Sequence, residues 1–317
     1  MHTYHDPLIA TLSLQPLFSA PVISQDLLSP RHPGQANYIW DVHTERRRII
    51  VRSPRFSFPP DEDFWQGAWR LFEANTTRLQ RLEVIDAWLK SHTPMKFPAI
   101  LDHIKYHGRE FLIMEHQKGR ALTDFGQLSD AALRLLGEHL ARLHGQRFAV
   151  FGSPLALQDV KAGQPISQFW SRTYATIKYL ANRYYRDDAN AIGWVKETLE
   201  ISPPPVSWAS PVLIDMDPSQ FLLNQNGEPI LVDTELYVLA PPQLELCAME
   251  YLLGEREAQA VAKGYQGIAP LPPLKPFRPI FRVLLRLLSF QGDIDWEKWM
   301  RWPIWFEPLS TNKSGGL

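Results

Sequence analysis

The chain has 317 residues, more than one compact core usually holds, so two lobes or domains are expected. Hydrophobic residues at 45% and charged residues at 21% form an ordinary globular balance, which excludes wholesale disorder. The 33 Lys and Arg nearly cancel the 34 Asp and Glu, so no global field attracts nucleic acid or an anionic membrane.

Cys247 is the sole cysteine, which excludes an internal disulfide and any multi-cysteine metal site. Its neighbours Leu246, Ala248 and Met249 suggest a buried thiol in a reducing compartment. The N-terminus lacks the basic start and apolar run of a secretory signal. No apolar stretch approaches the ~20 residues of a membrane span. A cytoplasmic protein without nucleic-acid or membrane partners is the expectation.

In chain order, the first ~30 residues read as irregular, with several Pro and Ser. Tyr38 to Val42 and Arg48 to Arg52 read as a strand pair, with Arg46 and Arg47 in the turn between. A long helical stretch is expected over about 61–91, ended by Pro94 and Pro98. Short strands follow at 99–101 and 110–114, with His107-Gly108 as the turn. Ser129 caps a clear helix whose Leu133, Leu136, Leu140 and Leu143 share one face. More helix is expected over 166–199. Strands follow at 211–214, 221–223 and 229–232, with Asn226-Gly227 as a hairpin turn. Beyond that, helices alternate with Pro-rich loops. The fold class is therefore α+β. A strand-rich N-terminal lobe, residues 1–115, joins a larger helical lobe, residues 116–317, near Glu115.

The chemistry concentrates around the hairpin. Asp215 follows an apolar strand, Gln220 comes five residues later, and Asp233 and Glu235 stand at the hairpin's far end. Phosphoryl transfer needs such parts: a carboxylate to take or orient the attacking hydroxyl, and an amide plus a carboxylate to hold Mg²⁺ against nucleotide phosphates. Asp217 reads as a second ligand or a solvated acid. The histidines lack metal-ligand spacing, and Ser153 and Ser219 lack a nucleophile-elbow context.

These residues resemble the aminoglycoside phosphotransferase and choline kinase-like family. Its catalytic loop, His-Gly-Asp-x-x-x-x-Asn, then a hairpin and Asp-x-Glu, aligns with Leu213-Ile214-Asp215 to Gln220 and with Asp233 and Glu235. Gly34-Gln35-Ala36-Asn37 resembles the start of the nucleotide loop. Val51-Arg52 resembles the strand carrying the phosphate-pairing cation, and Glu83 the helix acid that orients it. Phe111 to Glu115 with Gly119 resembles the hinge, and Leu136-Gly137 to His144 the Leu-Gly-x-x-Leu-Ala-x-Leu-His helix. The likeness runs from about residue 30 to about 250. It departs at Leu213-Ile214, at Gln220 in place of Asn, and at Arg52 in place of Lys.

The resemblance implies a bilobal protein kinase-like fold with a nucleotide between a small antiparallel-sheet lobe and a larger helical lobe. It implies an ATP- or GTP-dependent phosphotransferase acting on a hydroxyl of a small molecule. Asp215 would be catalytic, and Gln220 and Asp233 would hold Mg²⁺. Arg52 would pair phosphates and Glu83 would orient Arg52. Met114, Glu115 and Gln117 would meet the base, and Glu235 would touch the acceptor. Trp296, Trp299, Trp302 and Trp305 would wall the acceptor side or simply pack. The departures favour an alternative: a catalytically weak pseudokinase that binds nucleotide or a partner.

Overall fold

A computed structural model describes residues 9, 11–30, 35–56, 59–75 and 77–307. Gly34 lies outside them. The N-terminal part runs β1 (Val22–Leu27), β2 (Asn37–Thr44), β3 (Arg48–Pro54), α1 (Asp63–Phe72), α2 (Gln80–His92), β4 (Ile100–Tyr106) and β5 (Arg109–Glu115). The strands form one antiparallel sheet in the order β1-β2-β3-β5-β4. His107 and Gly108 turn β4 into β5 with φ of 48° and 74°, as the sequence expects.

Strand alternation sorts this sheet into two faces. Tyr38, Trp40, Val42, Ile49, Val51, Phe111 and Ile113 fill a small core on one face. The intervening residues Ile39, Ile50, Arg52 and Met114 therefore fall on the other, which faces the cleft. Helix α2 closes part of that face, where Leu79 and Leu82 meet Leu112 and Met114. Its Ile85 and Leu89 join the main core instead.

The second part contains β6 (Arg120–Ala121), α3 (Asp130–His144), β7 (Val150–Gly152), β8 (Gly163–Pro165), α4 (Phe169–Tyr184) and α5 (Ala189–Glu200). Then come β9 (Ser210–Leu213), β10 (Phe221–Leu223), β11 (Pro229–Leu231) and β12 (Tyr237–Ala240). Helices α6 (Pro242–Met249), α7 (Glu255–Gln266), α8 (Arg278–Leu287) and α9 (Trp296–Met300) complete it. Small sheets β11-β10-β6 and β8-β7-β12-β9 lie within this helical lobe. The Ser129 cap is real: its Oγ accepts the Ala132 N–H at 3.2 Å.

Helix α3 packs directly against α7, and Gly137 permits it. A Cβ there would sit 2.0 Å from the Val261 carbonyl oxygen. The Gly of the Leu-Gly-x-x-Leu helix thus has a packing reason, because backbone cannot yield as a side chain can.

Three expectations change. The helical stretch over 61–91 is two helices, broken where Glu73 turns left-handed with φ of 54°. The stretch over 166–199 is also two, divided at Tyr185–Asp188. And the first ~30 residues, expected to be irregular, contain strand β1. Trp65, Ala68, Leu71 and Phe72 of α1 share their core with Phe169, Leu180 and Phe281 of the helical lobe. The Tyr185 hydroxyl donates to Asp63 at 2.7 Å, and Arg172 donates to the Arg70 carbonyl at 2.7 Å, so both ends of α1 are pinned there.

Candidate active site

The loop between β9 and β10 carries Asp215, and its shape has local causes. The Asp217 carboxylate accepts the Ser219 N–H at 2.8 Å and caps the tight turn at Pro218–Gln220. That gives Asp217 a structural task. Behind the loop, Glu245 of α6 accepts the Leu213 N–H at 3.0 Å and meets His144 of α3 at 2.8 Å. Ile214 donates its N–H to the Leu236 carbonyl at 3.2 Å. Leu213 and Ile214 are buried, so backbone bonding supports the loop where the resembled family has His-Gly. Glu245 is the single acid of α6, and nothing beside it in the sequence points to the Asp215 loop.

Gln220 donates its Nε2 to Asp215 Oδ2 at 2.9 Å. Its carbonyl oxygen is left free to face a cation. The hairpin turn at Gly227, φ 75°, pairs Phe221 with Leu231 and Leu222 with Ile230. This brings Asp233 back beside Gln220: both line the same two cavities. From the opposite lobe, Arg52 reaches down. Its Nη1 meets Asp233 Oδ1 at 3.1 Å, and its Nη2 donates to the Val232 carbonyl at 2.9 Å. Glu235 is held by Asn37 of β2, whose Nδ2 donates at 2.7 Å.

One expected pairing is not formed. Glu83 does not orient Arg52. It meets His103 of β4 at 2.8 Å, and the partner of Arg52 is Asp233. The cause is helical register. Leu82 and Ile85 face inward, Glu83 lies at the partly exposed edge, and the buried polar position two residues earlier is Arg81.

Three acids crowd one cation. Burial, reinforced by Asp233 and Glu235, holds the Asp215 carboxyl well above the usual carboxylate range. Burial, with Asp233 beside it, pushes Glu235 up to about 7. Burial alone would weaken the Arg52 guanidinium, but Asp233, Glu235 and Asp215 outweigh it and raise its pKa. Asp215 Oδ1 and Glu235 Oε1 are buried without hydrogen-bond partners.

These orphaned oxygens, the Gln220 carbonyl and Asp233 fit a hard divalent cation such as Mg²⁺. Among the described residues no three His, Cys, Asp or Glu side chains are grouped to hold a metal ion. Oxygens from a bound phosphate would have to complete its shell, which is the usual habit of Mg²⁺.

Two cavities meet at this cluster. One, about 340 Å³, runs to Met114, Glu115, His116 and Gln117, with Ile39 and Ile50 on one side and Leu222 on the other. Gly119 keeps the connection after Glu115 tight, since a Cβ would lie 2.9 Å from the Leu223 carbonyl oxygen. The second, about 500 Å³, holds Asp215 and Glu235 and is walled by Phe64, Trp65, Ser289 and Phe290. Arg52, Gln220 and Asp233 line both. The four C-terminal tryptophans line neither. Trp299 is fully buried and stacks on Tyr251 at 3.6 Å, so packing accounts for it.

No protein-family profile matches the chain, and no curated protein matches it in sequence. Solved structures do match. Spectinomycin phosphotransferase APH(9)-Ia, bound to ADP and spectinomycin, superposes with a TM-score of 0.59, 12% identity, and coverage of 87% of this chain and 84% of the other. The GDP complex of aminoglycoside 2'-phosphotransferase-IIIa gives 0.58 and 14% identity over 90% of each chain. Macrolide 2'-phosphotransferase MphH of Brachybacterium faecium gives 0.57 and 12%, over 89% and 92%. The chain has the bilobal protein kinase-like fold. In a kinase-like fold the 340 Å³ cavity is the interlobe cleft, and the fold expected from the sequence resemblance is the one found.

The raised Glu235 carboxyl has a testable consequence. Between pH 4.5, its ordinary value, and about 7, the folded protein keeps a proton that the unfolded chain releases. Stability therefore falls as pH rises through that window. Glu235→Gln keeps an acceptor for Asn37 and removes the penalty. Above about pH 7 it should be the more stable protein, by on the order of 3 kcal/mol. At pH values below 4.5 the two should converge. Thermal melts across this range read the difference, and a wild type more stable at alkaline pH would contradict the shift.

Proposed function

We propose that this chain transfers the γ-phosphoryl group of ATP or GTP to a hydroxyl of a small molecule in the cytoplasm. The observation that carries the reading is the meeting of two cavities at Arg52, Gln220 and Asp233, with Asp215 on the acceptor side. The base would lie along Met114, Glu115 and Gln117, using the Glu115 carbonyl and the Gln117 N–H. Arg52 would pair with phosphate oxygens. Gln220 and Asp233 would hold Mg²⁺, which when bound neutralises charge on the transferring phosphoryl. Asp215 would orient the acceptor hydroxyl and take its proton. Glu235, held by Asn37, would contact the acceptor.

One observation favours a second reading, nucleotide binding with little turnover. Arg52 already occupies Asp233, so a metal must displace a guanidinium from its own ligand. Titrating ATP and GTP with and without Mg²⁺, while following thermal unfolding, tests the nucleotide site. Nucleotide at a hundred times its Kd should stabilise by about 2.7 kcal/mol. Absence of any shift at millimolar nucleotide removes both readings. A shift that Mg²⁺ does not increase favours the second.

A further inference from the structure

A separate cavity of about 690 Å³ opens at the other end of α1, and it shares no lining residue with the two cavities of the cleft. That volume lies within the ~300–1,000 Å³ range of small-molecule pockets. Its charge is one-sided. Arg70, Arg78, Arg81 and Arg172 line it against a single carboxylate, Glu73. Glu73 is already engaged, since its Oε1 accepts from Gln164 at 3.0 Å and from Arg172 at 3.2 Å. The Arg70 guanidinium lies 3.4 Å from the centre of the Tyr179 ring, a contact that cancels no charge. Arg78 is exposed.

Arg81 is the informative member. It is only 3% exposed, yet none of its three side-chain nitrogens has a hydrogen-bond partner. Glu235 acts on it electrostatically but makes no hydrogen bond to it. A buried guanidinium with unsatisfied donors is costly unless an anion meets it. Guanidinium groups also match phosphate oxygens two at a time.

We propose that this cavity binds a small phosphate-bearing anion, with Arg81 as its buried anchor and Arg78 at its exposed rim. The three Arg81 nitrogens are covered, so the side chain must turn to meet the anion. The site is distinct from the nucleotide site, and its ligand is neither the phosphate donor nor the hydroxyl acceptor.

The test follows thermal unfolding of the whole chain in sodium phosphate and pyrophosphate, against sodium chloride at matched ionic strength. Wild type and Arg52→Met should both be stabilised by the phosphates. Arg78→Ala should need at least tenfold more anion for the same shift. Arg81→Met should lose the response, and its melting point without anion should be no lower than wild type. The proposal is overturned if the response disappears in Arg52→Met, persists in Arg81→Met, or is matched by chloride. It is also overturned if Arg81→Met alone is destabilising, which would make Arg81 a structural partner of Glu235. An unchanged response in Arg78→Ala likewise overturns it.

Discussion

Asp215→Asn should lower turnover by roughly 10²–10⁴-fold, the range associated with a positioned general base, and should leave nucleotide affinity intact. The asparagine is nearly isosteric, and its side-chain oxygen can still accept from Gln220 Nε2, which now lies 2.9 Å from Asp215 Oδ2. The loop is fixed from behind by Glu245 and from within by Asp217, neither of which the change touches. The substitution also takes one potential charge from a cluster of three acids around one guanidinium. The melting point should therefore hold or rise, because burial and two neighbouring carboxylates already disfavour the Asp215 anion. ATP consumption across a panel of hydroxyl compounds supplies the rate, and nucleotide thermal shifts supply the affinity. Undiminished turnover in the variant would remove Asp215 from the chemistry. A wild type that binds nucleotide and phosphorylates nothing in a broad panel would point to the nucleotide-binding reading.

A comparable loss, this time of stability, is expected at Glu250. This carboxylate is fully buried where α6 meets α8. Its Oε1 accepts from Arg278 Nη2 at 2.9 Å and its Oε2 from Arg278 Nε at 3.0 Å, while Arg282 approaches at 3.2 Å. The same carboxylate accepts the backbone N–H groups of Trp305 and Phe306 at 3.1 and 3.3 Å. Arg278 and Arg282 in turn hold the carbonyls of Phe306, Met300 and Pro303. One side chain thus ties residues 300–306 to the helical lobe. Glu250→Ala strands two buried cations, and breaking a buried pair in this way costs about 3–5 kcal/mol. Glu250→Gln preserves shape and should cost less. Denaturant unfolding of both variants measures this, and a loss below about 1 kcal/mol for the alanine would show the network to be dispensable. Activity per folded molecule should be unaffected, since Glu250 lines neither cavity of the cleft.

Much of this architecture is written locally. β-rich and apolar runs mark β2, β3 and β5, Ser129 marks the start of α3, and Asn226-Gly227 marks the hairpin that unites Gln220 with Asp233. What escapes a reading of the chain depends on distant partners. Strand β1 has largely exposed side chains and no alternation, so its pairing with β2 leaves no pattern. Glu73 ends α1 in a conformation that a glycine would have announced. Strand β12 is buried on both faces and only four residues long, too short for a period to appear. At the site, the acids and Arg52 were legible, but their pairing was not. Arg52 meets a residue 181 positions away, and Asn37 one 198 positions away. The choice between Glu83 and Asp233 as its partner turns on helix register, which only packing sets.

The docking of α1 into the helical lobe also bears on how the cleft could open. The chain leaves the N-terminal sheet after β3, enters the other core through α1, returns to the sheet with α2, and crosses again near Glu115. The lobes are therefore sewn together along three strands of covalent chain, where a lone connector would leave a free hinge. A rotation about Glu115 would pull on both flanks of α1. Opening the cleft would accordingly also have to break the bonds that Arg52 and Asn37 make across it.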